Sequence, residues 1–156
     1  MSGSTQKPLV TVIISSYNHA AYVADSIRSV QCQSYPNIEL LVVDDGSTDD
    51  SVAVIQTLRE QRSFDLRVQQ NKGLARTLND CIARATGDLI APFGSDDIMC
   101  PDRIEKQVAY LDGKPEVGVC AGNIEQIDGS GKVLVDRNRE RPFRRLDFQA
   151  LFLGTM

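Results

Sequence analysis

The feature that most constrains the fold is an alternation of two periodicities along the chain. Short β-branched runs are each followed by a stretch with apolar residues at helical spacing. Leu9 to Ser15 is the first run, and its continuous apolar character predicts a strand covered on both faces. Ala20, Val23, Ile27 and Val30 then repeat along one helix face. Glu39 to Val43 is a second buried strand. Val52, Ile55 and Leu58 mark the helix after it, with Ser47 and Asp50 spaced as a capping box. Leu66 to Gln69 reads as a shorter strand. Leu74, Leu78, Ile82 and Ala85 line a third helix stopped by Gly87, and Leu89 to Phe93 is the next strand. Pro101 suits the first turn of a helix carrying Ile104, Val108 and Leu111. Val117 to Ala121 reads as a further strand, and Asp128 to Gly131 as a hairpin turn. Such alternation implies an α/β fold, a mostly parallel sheet flanked by helices, because right-handed crossovers place the helices on its faces. The expected organisation is a flexible leader over residues 1–7, a core over 8–125, and a hairpin opening a second part over 126–156.

In open parallel sheets ligands bind beyond the carboxyl ends of the strands. Three segments fall there: Ser15-Ser16-Tyr17-Asn18, Asp44-Asp45-Gly46-Ser47 and Gly94-Ser95-Asp96-Asp97. Two carboxylate pairs are thus expected on one sheet edge. Like charges repel and are costly to desolvate, so a divalent cation or hydrogen-bond donors should compensate them. Asp, Gly and Ser are also ordinary turn residues, and either cluster alone reads as a loop. Both clusters on sheet-end loops, with an aromatic on a third, favour a site. Neither G-x-G-x-x-G nor a Walker A motif occurs in the sequence, which disfavours a dinucleotide or P-loop site.

Charge and composition narrow the classes further. The formal charge of −4 argues against a nucleic-acid binder. Four well-spaced cysteines and the single His19 do not form a zinc or disulfide pattern, so buried free thiols in a reducing cytoplasm are expected. Apolar runs fall well short of the ~18 residues that span a membrane, and the polar start lacks the apolar core of a secretory signal.

Four strings make the sequence recognisable. Val10 to Asn18, Val42 to Asp49, Asn71 to Ala75, and Ala85 to Ile90 leading into Gly94–Arg103 resemble, in order, the motifs of family 2 inverting glycosyltransferases with the GT-A fold. The resemblance covers residues 8 to about 125. It implies a nucleotide-sugar donor, most simply a UDP-sugar, with Tyr17 stacking on the base and Asp45 hydrogen-bonding its edge beside Asp44. Ser15 and Asn18 would shape the same pocket. Asp96 falls on the last acid of the family's Asp-x-Asp motif, where Mn²⁺ or Mg²⁺ bridges the diphosphate, with Asp97 in support. Gly94 stands where the family often begins that motif with an aspartate. Arg76 lies where a basic residue often faces the nucleotide sugar; an exposed helix charge is the equal alternative.

Inverting transfer to a saccharide or lipid-linked acceptor needs a general base. Glu125, Asp128, Asp136 and Asp147 are candidates, with nothing to single one out. Family members continue into an acceptor-binding half, so a fragment of a longer enzyme is expected, its base beyond Met156. The basic stretch Arg137 to Arg145 reads as a solvated loop, with peripheral contact to an anionic membrane as the alternative. The apolar set from Phe143 to Leu153 would favour self-association if uncovered. Two other readings stay open: a nucleotidyltransferase-like enzyme, which would want a Gly-rich basic loop after the first strand, and a non-catalytic binding module.

Overall fold

The computed structural model describes residues 7–135. The leader expected before them and the basic and apolar segments after them therefore fall largely or wholly outside the described residues. The chain divides into two compact units after Cys120. The first unit alternates strand and helix as β1 (Val10–Ser16), α1 (Val23–Gln31), β2 (Ile38–Asp44), α2 (Ser51–Gln61), β3 (Asp65–Val68), α3 (Leu74–Ile82), β4 (Leu89–Gly94) and α4 (Arg103–Leu111). Its four strands run in the order β3-β2-β1-β4, all parallel. The register sets Ser16 opposite Asp44 and Ser15 opposite Gly94. Pro92 lies on β4, an edge strand, where a sheet tolerates a missing N–H.

Alternation along β1 divides the core in two. Val10, Val12 and Ile14 pack against Val23, Ile27 and Val30 of α1, Ile55 and Leu58 of α2, and Ile104 of α4. Ile13 faces the other way and joins Leu41, Val43 and Cys81, with Leu78 and Ala85 packed alongside. Both faces of β1 are therefore covered, and its central Val12, Ile13 and Ile14 are fully buried. At ~25 cal/mol per Å² of apolar surface, each such side chain contributes on the order of 2 kcal/mol. This central strand fixes where β2 and β4 end, and so where the site lies.

Three local expectations change. Residues 117–121 form no strand, because β-branched residues become a strand only where a neighbouring edge accepts their ladder bonds, and none among the described residues does. Ser47 does not cap α2. Its hydroxyl is engaged elsewhere, and Asp50 occupies the N-cap with no side-chain hydrogen bond. Of the four free cysteines only Cys81 is buried; Cys32, beside the last turn of α1, and Cys100, in the loop before α4, are exposed. The second unit carries the expected hairpin, with β5 (Gln126–Ile127) antiparallel to β6 (Val133–Val135).

Candidate functional site

A cleft of ≈ 370 Å³ opens at the carboxyl ends of the parallel strands. The β1 end supplies Ser15, Tyr17 and His19, the β2 end Asp45, and the β4 end Gly94, Ser95 and Asp96. Asn71, Gly73 and Leu74, from the β3–α3 connection, form the remaining wall. Each expected carboxylate pair therefore sends one member into the cleft. The two pairs are compensated in opposite ways.

At the end of β2 the protein compensates its own charges. Asp44, fully buried, turns back on its loop and accepts hydrogen bonds from the Ser47 N–H at 2.8 Å and the Ser47 hydroxyl at 2.6 Å. It does not line the cleft. Asp45 reaches the cleft wall, but Gln69 Nε2 (2.8 Å), the Lys72 N–H (3.0 Å) and the Gly73 N–H (2.9 Å) all donate to its carboxylate. Burial pushes that carboxyl up. Hydrogen bonds from Gln69, Lys72, Thr77 and Gly73 outweigh it and hold Asp45 below the usual carboxylate range. With about four lone-pair sites and this many donors, the side chain is close to saturated. It holds the 71–73 loop in place from the cleft wall.

At the end of β4 the compensation is missing. Asp96 and Asp97 are exposed, and among the described residues no side chain or backbone N–H donates to either carboxylate. Both fold back over Gly94. A Cβ on that glycine would lie 3.0 Å from Asp96 Oδ1 and 2.6 Å from Asp97 Oδ2. A side chain at position 94 would therefore displace the ends of both carboxylates. Two unpaired carboxylate oxygens within a few ångströms of one backbone position suit a hard divalent cation. Among the described residues no third His, Cys, Asp or Glu joins them. Phosphate oxygens and water would complete such a coordination shell, as is usual for Mg²⁺ at phosphate sites.

The other expected residues separate as clearly. Ser15 and Tyr17 line the cleft, and Tyr17 keeps 47% of its surface exposed, an open ring face. Asn18 does not line it. At φ 54, a conformation asparagine tolerates, it accepts the Thr48 N–H at 2.8 Å and ties the β1 loop to the β2 loop. Arg76 is exposed on α3 and does not line the cleft. Asp128, a candidate base, is used as a turn anchor. It accepts from the Ser130 hydroxyl (2.6 Å), the Ser130 N–H (2.9 Å) and the Lys132 N–H (3.1 Å), and these bonds hold it below the usual range. Asp136 and Asp147 lie outside the described residues. Residue patterns gave no role to His19, Ser95 or the Asn71–Leu74 wall. Their only signal was position, immediately after a strand or within a motif.

An open parallel sheet with an aromatic, a glycine and unpaired acids at its carboxyl edge marks an α/β protein with a ligand cleft at the strand ends. The chain matches the sequence model of Glycosyl transferase family 2 over residues 11–156 and belongs to that family. An uncharacterised glycosyltransferase of Nostoc sp. is 34% identical over 148 residues, which cover 94% of this chain and 46% of the relative. One from Haemophilus influenzae is 38% identical over 106 residues, 67% of this chain and 42% of the relative. The chain thus spans less than half the length of these relatives. Among solved structures, a Pyrobaculum calidifontis mannosyltransferase in complex with GDP-Man and Mn²⁺ superposes with a TM-score of 0.66 at 29% identity, covering 73% of this chain and 35% of that one. S. aureus TarS 1-349 in complex with UDP-GlcNAc gives 0.59 at 26% identity, covering 67% and 31%. The GT-A arrangement of the sheet is shared with these structures.

Proposed function

We propose that the chain is the nucleotide-sugar-binding part of a metal-assisted glycosyltransferase that moves a sugar from a nucleoside diphosphate, taken as UDP, to an acceptor hydroxyl with inversion. The observation that carries this reading is the unpaired Asp96–Asp97 pair folded over Gly94 at the rim of a cleft that also holds an open tyrosine face. Tyr17 offers that face to a base, worth about 1 kcal/mol. Asp45 keeps the 71–73 wall in position for it. Asp96, with Asp97 beside it, would hold Mn²⁺ or Mg²⁺, which when bound neutralises charge developing on the departing diphosphate. Asp128 is committed to its own turn and is set aside as the general base. The acceptor is read as a saccharide or lipid-linked hydroxyl met from the cytoplasm, with peripheral membrane contact. Among the described residues no helix is long and apolar enough to cross a membrane.

Metal linkage tests the reading. Titration calorimetry of UDP, GDP and uridine, with and without Mn²⁺, should show one diphosphate binding more tightly with metal, by roughly 5–150-fold. Uridine should not respond. Asp96→Asn should remove most of the coupling, and Tyr17→Ala should weaken UDP and uridine alike. Diphosphate affinity indifferent to Mn²⁺ in the wild type would overturn the role given to the acidic pair.

A further inference from the structure

The cleft holds one side chain whose position is unusually well determined and which no sequence pattern assigned. His19 is fixed at three points. Its backbone N–H donates to Ser51 Oγ at 3.0 Å, and Ser51 is fully buried. The Tyr22 ring meets the imidazole edge-on, with centroids 6.3 Å apart and planes at 82°. Nδ1 lies 2.7 Å from Ser95 Oγ. Ser95 is only 2% exposed, and among the described residues His19 Nδ1 is the one hydrogen-bond partner of its hydroxyl.

That last contact points to one tautomer. If Nδ1 carried the proton and donated it, the hydroxyl proton of the nearly buried Ser95 would have no acceptor among the described residues, a costly state. The hydroxyl therefore donates, Nδ1 accepts, and the neutral ring carries its proton on Nε2. Nδ1 is committed to the wall beside Asp96, and His19 lines the cleft. Nε2–H is accordingly the free donor on that side.

Among the described residues the cleft lining contains Asp45 and Asp96 and no lysine or arginine. A diphosphate seated there would meet its cation at Asp96 and would otherwise depend on uncharged donors. We propose that His19 is such a donor: Ser95 presets its Nε2–H to hydrogen-bond a phosphate oxygen of the nucleoside diphosphate beside Asp96. This assignment rests on the nucleotide-sugar reading and adds a phosphate-contacting residue to it. Ser95 is then a positioning residue, acting only through the ring.

His19 is the sole histidine in the sequence, so its two ring nitrogens can be observed by ¹⁵N NMR without ambiguity. Mg²⁺ serves as the metal because it is diamagnetic. The free protein should show the Nε2-protonated neutral form at pH 8. Saturating UDP with Mg²⁺, or GDP with Mg²⁺ if that is the nucleotide bound, should move the Nε2 resonance and leave Nδ1 nearly still. His19→Ala should weaken diphosphate binding by about tenfold, the scale of a hydrogen bond to a charged group, with uridine affinity unchanged. His19→Gln, whose amide nitrogen reaches roughly where Nε2 sits, should recover binding to within about threefold. Ser95→Ala should produce a mixture of tautomers. Thermal unfolding of each variant separates lost contact from lost fold. An Nδ1-protonated ring, or an Nε2 signal unmoved while calorimetry shows diphosphate bound, would overturn the assignment and spare the functional reading. Absence of any diphosphate binding in calorimetry would remove both.

Discussion

Adjacent aspartates at the end of β2 show how neighbours of one chemical type acquire different duties. Asp44 and Asp45 differ only in which way the chain turns after the strand, yet one closes its own loop and the other holds a loop 27 residues further on. The Asp45 prediction follows from its crowded carboxylate. Asp45→Asn exchanges one acceptor oxygen for an N–H₂ group facing other donors, and should cost about 2 kcal/mol in urea unfolding. It should also weaken nucleotide binding indirectly, through the 71–73 wall. The pH dependence has a definite sign. Because the folded-state pKa of Asp45 is depressed, its contribution is fully present above the unfolded value of about 3.9 and disappears as pH falls through the folded value. Wild type and Asp45→Asn should therefore differ most above pH ~4 and converge in stronger acid. Parallel stability curves down to the acid limit would show that the carboxylate is not responsible.

At the scale of elements, the site depends on one loop crossing another. Gly46, at φ +80, lets the 69–73 segment pass so closely that a Cβ would sit 2.8 Å from the Asn71 nitrogen and 3.2 Å from the Gln69 oxygen. Gly73 has almost the same backbone angle, φ +81, but open space around its Cβ position. The pair separates strain from collision. Gly73→Ala should cost about 1–3 kcal/mol from strain alone, because φ 81 with ψ 153 is a region almost reserved for glycine, whereas Gly46→Ala adds a collision and should also impair nucleotide binding by displacing the wall. Equal losses in both variants would mean that the close approach carries no weight. The other end of α3 is anchored as firmly. Glu39 on β2 accepts from Thr86 Oγ1 at 2.8 Å, the Thr86 N–H at 2.9 Å and the Thr11 hydroxyl, pinning the connection into β4. With α3 anchored at both ends, the cleft wall is a rigid part of the sheet's margin.

For the whole molecule, the unpaired acids imply that stability and ligation are linked. Asp96 makes no hydrogen bond among the described residues and is exposed, so Asp96→Asn should leave the unliganded Tm unchanged, within about 0.5 kcal/mol. Ligands that bind only the folded state raise Tm by mass action. If metal and nucleoside diphosphate strengthen each other, the Tm rise with both should exceed the sum of the separate rises. Asp96→Asn should make the two additive. Simple additivity in the wild type would argue that metal and nucleotide occupy independent places. Thermal scans with Mn²⁺, UDP and their mixture decide between these outcomes.

The sequence by itself determined the layered architecture. Runs such as Val10–Ser16 and the helical repeat of Val23, Ile27 and Val30 are local periodicities, and burial of their apolar faces leaves a chain little choice but strands between helices. It also determined which segments meet at the ligand edge, since strand ends can be read from the same pattern, and Tyr17, Asp45 and Asp96 all reach the cleft. Tertiary structure alone decided which neighbour serves the site and which serves the loop. The Asp45–Lys72 hydrogen bond, Ser47 giving up its cap for Asp44 and Asn18, and the His19–Ser95 pair 76 residues apart depend on sheet register and on loops crossing at near contact. No local propensity encodes such meetings. A hydrogen-bond partner distant in sequence is set by where the strands stop, and residues 117–121 show the converse: good strand residues stay irregular when no strand edge among the described residues pairs with them.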